Sequence, residues 1–162
     1  MIYIRKLLLT LLIVALFVPG NCLARSLDND EVFAFANFIY DLVKTSQIPK
    51  SGAFCILGND EVAKLLFDRD KNIVDLDHHP KKHESCKAIY ISQGKEKILR
   101  SELARFGKSK VLTIAIFEDF TEIGGMVRVD MGRRNFELTV NSKAMKEAGI
   151  KLNSLATSLI IN

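Results

Sequence analysis

The sequence has no tryptophan, no run of like charge longer than a few residues, and no aromatic residues interleaved with a basic stripe. Those absences exclude the electrostatic and stacking footprint of a nucleic-acid binder. No internal repeat, low-complexity segment or linker divides the 162 residues, of which 48% are hydrophobic and 26% charged. One domain with a real core is expected, because two would be cramped in this length. Catalytic signatures are missing as well. No serine or cysteine nucleophile stands with a placed histidine, no glycine fingerprint for a dinucleotide is present, and no paired acids mark strand ends. Catalytic residues and a cofactor are therefore not expected.

Two groupings come near a chemical motif and fall short. His78, His79, His83 and Cys86 are the one metal-like cluster, but Pro80 interrupts any regular helix that would set His79 and His83 on one face. A solvated loop with Lys81, Lys82 and Glu84 is the plainer reading, and no metal is expected. Arg105 to Ser109 ends in Gly-Lys-Ser, like a phosphate-binding loop, yet Glu102 stands where the first glycine belongs and the segment leads into a strand. A phosphoacceptor receiver domain fails too, since the strand Lys87 to Ile91 ends in Ser92-Gln93 without an aspartate.

What is present starts with an export signal. Arg5 and Lys6 precede an apolar core from Leu7 to Val18, Pro19 and Gly20 break it, and Cys22-Leu23-Ala24 supplies small residues for cleavage after Ala24. That core is shorter than the roughly 18 to 20 residues needed to span a bilayer. Removing residues 1–24 as a signal peptide leaves residues 25–162 as a single domain. The formal charge of +4 then falls to 21 bases against 19 acids, or +2. Export also leaves two cysteines, Cys55 and Cys86, in an oxidising compartment, where a disulfide is expected. The alternative is that Cys55, between Phe54 and Ile56, is only a buried small hydrophobe.

Hydrophobic periodicity supplies the architecture. Asp28 and Glu31 resemble a capping box opening a helix from about Asp30 to Lys44, with Phe33, Phe38 and Tyr40 widening its apolar face. A strand from Ala53 to Leu57 follows Pro49 and Gly52; Asn59 then caps a helix to about Phe67, and Asn72 to Leu76 forms a short strand. After the strand Lys87 to Ile91, Ser92 caps a helix carrying Leu99, Leu103 and Phe106 that Gly107 ends. Val111 to Phe117 is apolar throughout, as suits a strand covered on both faces. Val127 to Met131 and Phe136 to Val140 alternate apolar with polar around Gly132, the pattern of a hairpin with one wet face. Asn141 caps a helix to Ala148 that Gly149 stops, and Asn153 or Ser154 opens a last turn with Leu155, Leu159 and Ile160. The fold class is α/β, a three-layer α/β/α sandwich with a mixed, mostly parallel sheet and a C-terminal antiparallel hairpin.

Several of these segments resemble the YfiR family of periplasmic proteins. They are Phe54-Cys55-Ile56-Leu57-Gly58, Cys86, Leu112-Thr113, Phe120 with Gly124-Gly125-Met126-Val127, Phe136-Glu137-Leu138, Ala144, Ala148-Gly149-Ile150 and Leu155. Two departures stand out: Ile48-Pro49 replaces the family's Trp-Pro, and Thr139 replaces an asparagine. The resemblance implies a non-catalytic periplasmic regulator that represses a membrane diguanylate cyclase, or the periplasmic domain of a sensor kinase, by protein contact. It links redox or envelope stress to cyclic-di-GMP, and a homodimer is a further option. Phe120, Ile123, Gly124, Gly125 and Met126 are the candidate partner-binding residues, because a double glycine after an apolar strand admits close backbone approach. The other reading makes them a tight turn with Met126 packed inside. A competing function is a small-ligand sensor at the carboxyl edge of the sheet near Gly58 and Gly94; a third is a scaffold held by its disulfide.

Overall fold

A computed structural model describes residues 29–107, 109–131 and 135–159. The expected signal segment, the Asp28 cap, Lys108, Gly132 and Ile160 lie outside them.

Helix α1 (Asn29–Thr45) repeats Val32, Phe35, Ala36, Ile39, Leu42 and Val43 at three- and four-residue spacing, and all six are buried. Burial of the five larger of these side chains contributes about 1.5–3 kcal/mol each, more than any local propensity of the helix. Strand β1 (Ala53–Leu57) leads to α2 (Glu61–Arg69), then to the two-residue β2 (Val74–Asp75). A 3₁₀ turn at Pro80–Ser85 delivers the chain to β3 (Cys86–Ile91), followed by α3 (Glu96–Gly107) and β4 (Leu112–Ala115). The hairpin strands β5 (Val127–Met131) and β6 (Phe136–Val140) come next, then α4 (Ser142–Ala148) and the one-turn α5 (Ser154–Thr157).

The strands form one sheet in the order β2-β1-β3-β4-β5-β6, parallel throughout except for the antiparallel pair β5–β6. Strand pleating divides the core into two. Phe54, Ile56, Ala88, Tyr90, Leu112 and Ile114 face the layer containing α1, α2 and α4, whereas Cys55, Leu57, Ile89 and Ile91 face Leu99, Leu103 and Phe106 of α3. This is the three-layer α/β/α arrangement with a mixed, mostly parallel sheet. The aromatic residues of α1 serve the first core: Phe38 stacks on Phe136 at 4.6 Å between centroids, and Phe35 meets it edge-on at 5.6 Å.

The boundaries correct several expectations. Asp60, not Asn59, caps α2, accepting from the Ala63 amide at 2.8 Å, and the helix continues to Arg69. Ser92 caps nothing; α3 begins at Glu96, and the Ser92 hydroxyl is buried without a partner. Strand β4 is shorter than the apolar run Val111 to Phe117, because the chain leaves the sheet after Ala115 to place Phe120 in the core. Asn141 does cap α4, accepting from the Ala144 amide at 3.0 Å, and Gly149 at φ 70° closes it.

Cys55 of β1 and Cys86 of β3 are joined in a disulfide, their Cα atoms 5.8 Å apart and 31 residues apart in sequence. Both are fully buried, so the bridge ties two central strands from within the α3-side core. Closing a loop of this length removes chain entropy from the unfolded state worth about 3.7 kcal/mol. Urea unfolding of residues 25–162 with and without reductant should therefore give a lower midpoint for the reduced form. Coincident midpoints would contradict this role.

Candidate functional site

In a sheet of this order the strand sequence reverses at β1 and β3, and a crevice would open between their carboxyl ends. Here that edge is occupied by the protein's own polar groups. One Asp60 carboxylate oxygen accepts from the Ala63 amide; the other accepts from the Tyr90 hydroxyl and the Gln93 amide, each at 3.0 Å. Lys95 reaches Asp77 at 2.8 Å. Gly58 and Ser92 close the space between the strands, the serine hydroxyl lying only 1.8 Å from where a Cβ on Gly58 would stand. Near Gly58 the expected ligand edge is thus spanned by these mutual bonds; two cavities lie beside α4.

Two of the three metal-like histidines are also engaged locally. His78 Nδ1 lies 2.6 Å from the Asp75 carboxylate, His83 Nδ1 lies 2.9 Å from the Pro80 carbonyl, and Cys86 is oxidised. Among the described residues no three His, Cys, Asp or Glu side chains are grouped to hold a metal ion. Arg105 pairs with Glu102 on the last turns of α3, and the helix runs into a strand, opposite to the strand-to-helix order of a phosphate loop.

The residues from Phe117 to Met126 form a series of turns that crosses from β4 to the parallel β5. Backbone bonds from Phe120 to Phe117, Ile123 to Asp119 and Gly125 to Phe120 fold it tightly. Phe120 and Met126, at 0% and 3% exposure, belong to the core, and Gly125 is buried with them. Of the five candidate residues only Gly124 is exposed, with Ile123 half-buried beside it. Phe120, Gly125 and Met126 are thus packed inside and Ile123 lies partly against the α3-side core, whereas Gly124 and the acidic Glu118, Asp119 and Glu122 form the outward part of the segment. Gly125 has a packing role: a Cβ there would stand 2.4 Å from the Phe120 ring. Asn141 anchors the segment from across the sheet edge. Its side-chain amide donates to the Thr121 carbonyl at 3.1 Å and its backbone amide to the Met126 carbonyl at 2.9 Å, while Met126 donates to the Thr113 hydroxyl at 3.0 Å. Sequence reading found the helix cap in Asn141 but not these ties, which carry no local pattern. Asp60 and Tyr90, 30 residues apart, went unnoticed for the same reason.

Compared with curated proteins, the sequence matches none. A family model described as YfiR/HmsC-like matches residues 27–158. Among solved structures, a conserved domain protein from Vibrio cholerae O1 biovar El Tor is similar, with a TM-score of 0.60 at 11% identity. The likeness covers 80% of this chain and 58% of that one, and at this identity it concerns the fold alone.

Two outcomes follow from the packing. Gly125→Ala should lower stability by about 1–3 kcal/mol, since the buried Phe120 ring must move; an unchanged urea midpoint would contradict the packing role. Burial, then the Asp60 charge, then the hydrogen bond to it, raise Tyr90 well above the ordinary tyrosine value. The folded chain keeps this proton at a pH where the unfolded chain loses it, so the stability is present below the ordinary value of about 10 and falls as pH rises past it. Alkaline titration of tyrosinate absorbance should show one of the two tyrosines of residues 25–162 delayed until unfolding. The delay should vanish in Tyr90→Phe; its persistence would contradict the assignment.

Proposed function

The chain belongs to the YfiR/HmsC-like family, and from that premise we propose that it is a periplasmic regulator that represses an inner-membrane diguanylate cyclase, or a similar sensor kinase, by protein contact. The match over residues 27–158 is the observation that carries this reading. Residues 1–24 act as a cleaved signal peptide and residues 25–162 as a single domain. No helix among the described residues is long and apolar enough to cross a membrane, in keeping with a partner that supplies the membrane anchor.

Two structural features support contact over ligand sensing. The carboxyl edge of the sheet beside Gly58 is spanned by the Asp60, Tyr90, Gln93 and Lys95 bonds, while Phe33 on α1 stands 57% exposed and Gly124 is exposed. An exposed large aromatic at a protein surface is suited to burial against a partner. The disulfide gives the regulator a redox response: reduction relaxes the β1–β3 pair and with it the sheet that positions these surfaces.

The mature oxidised chain, immobilised and incubated with detergent-solubilised inner membranes, should capture a diguanylate cyclase or sensor kinase. Added to a captured cyclase, it should lower cyclic-di-GMP synthesis roughly tenfold or more, equivalent to about 1.4 kcal/mol of preference for the inactive state. Cys55→Ser/Cys86→Ser should repress less. Recovery of no cyclase, kinase or other membrane receptor under either oxidising or reducing conditions would overturn the reading.

A further inference from the structure

The sheet ends on one side at the two-residue β2 and on the other at β6, a strand of five residues. Successive residues of a strand send their amides to opposite sides, and two bonds fix which way those of β6 point. The Asn141 amide, one residue past the strand, donates to the Met126 carbonyl on the β5 side at 2.9 Å, so the Glu137 and Thr139 amides share that direction. The Leu138 amide points the other way and donates to the Leu159 carbonyl, also at 2.9 Å. Phe136 and Val140 point outward with it, and among the described residues neither amide has a partner there.

Leu159 is thus already on this edge, and the approach of the chain gives a direction. Thr157, the last residue of α5, lines the same cavity as Val140, and two residues later the Leu159 carbonyl stands at Leu138. The chain therefore runs against β6, antiparallel to it. Its amide at Leu159 still bonds back to Ala156 at 3.1 Å. On the α1 side the edge is apolar: half-buried Phe136 packs against that core with Phe38 stacked on it, and Leu138 and Leu159 pack against the same core. The residues next in sequence are Ile160 and Ile161.

We propose that Ile160 and Ile161 continue along the β6 edge as a seventh, antiparallel strand that straps it shut. With Leu159 opposite Leu138, Ile161 stands opposite Phe136 and exchanges both backbone bonds with it. Opposed residues share a face, as Leu138 and Leu159 already do, so the Ile161 side chain lies on the Phe136 and Phe38 pair and Ile160 stands opposite Glu137 on the other face. The strap covers the longer of the two sheet edges, whose unpaired amides would otherwise be open to any extended segment or to a second copy. The Leu138–Leu159 bond favours the chain's own segment, because a foreign strand centred on β6 would have to break it. This pairing does not depend on what the regulator binds.

Amide hydrogen exchange of residues 25–162, followed by nuclear magnetic resonance, tests the register. Phe136 should exchange about tenfold or more slowly than Val140, which the strap does not reach. A contact between the Ile160 and Glu137 α-protons should also appear, since antiparallel strands bring residues closest at the pairs that share no hydrogen bond. In the chain ending at Leu159, and in Ile161→Pro, which lacks the amide that meets the Phe136 carbonyl, exchange at Phe136 should speed up about tenfold. The α-proton contact is read on the unaltered sequence, so it decides the proposal even where a variant fails to fold. Equal exchange of Phe136 and Val140 in the unaltered chain, absence of the α-proton contact, or a Phe136 amide unaffected by removing residues 160–162 would overturn it. So would protection of Phe136 that rises with protein concentration alongside a dimer in sedimentation, which would give the edge to a second copy.

Discussion

The pairing of β1 with β3 is the contact on which the other elements depend. Ala53 to Leu57 runs beside Cys86 to Ile91 in register, and the Cys55–Cys86 bridge fixes that register covalently from within the core. Both strands are buried on both faces, so a slip by one residue would exchange the two hydrophobic sets between the helix layers. From this pair the sheet extends one way through β2 and the other way to the hairpin, and the carboxyl ends of the two strands bring Asp60 to Tyr90.

That same closure bears on the proposed function. Where many open α/β sheets leave a crevice, here Asp60 caps a helix while accepting from a buried phenol and a backbone amide, and the Ser92 hydroxyl fills the space left by Gly58. The chain's outward chemistry lies elsewhere, at Phe33 on α1 and at Gly124 with its acidic neighbours. A regulator acting by contact needs such rigid, preorganised surface more than a ligand cavity, because ordering a loop on binding would offset part of the affinity.

How much was legible in the sequence follows from how local each determinant is. β1 could be read residue for residue because Gly52 and Gly58 bound a short apolar run, and α4 because Asn141 and Gly149 mark both ends. The hairpin was legible from alternation alone. Ser92 was misread because its burial depends on Gly58, which lies far away in sequence. The apolar run from Val111 to Phe117 concealed the departure of the chain after Ala115, since the residues that cover Phe120 belong to other elements. The Gly-Gly-Met segment looked like a contact surface, yet three of its five candidates prove to be packed inside; apolar character alone does not separate core from docking surface. The tie between Leu138 and Leu159 was invisible, being made by two backbones across a sheet edge.

The central claim is that this chain acts from outside the inner membrane, by contact, on an enzyme whose product lies inside. Cellular cyclic-di-GMP tests it most directly in a strain carrying the cognate cyclase, expressing either the full chain or the same chain without residues 1–24. A fall in cyclic-di-GMP with the exported form only is expected. Equal levels in the two strains, or a fall caused by the leaderless form as well, would contradict it.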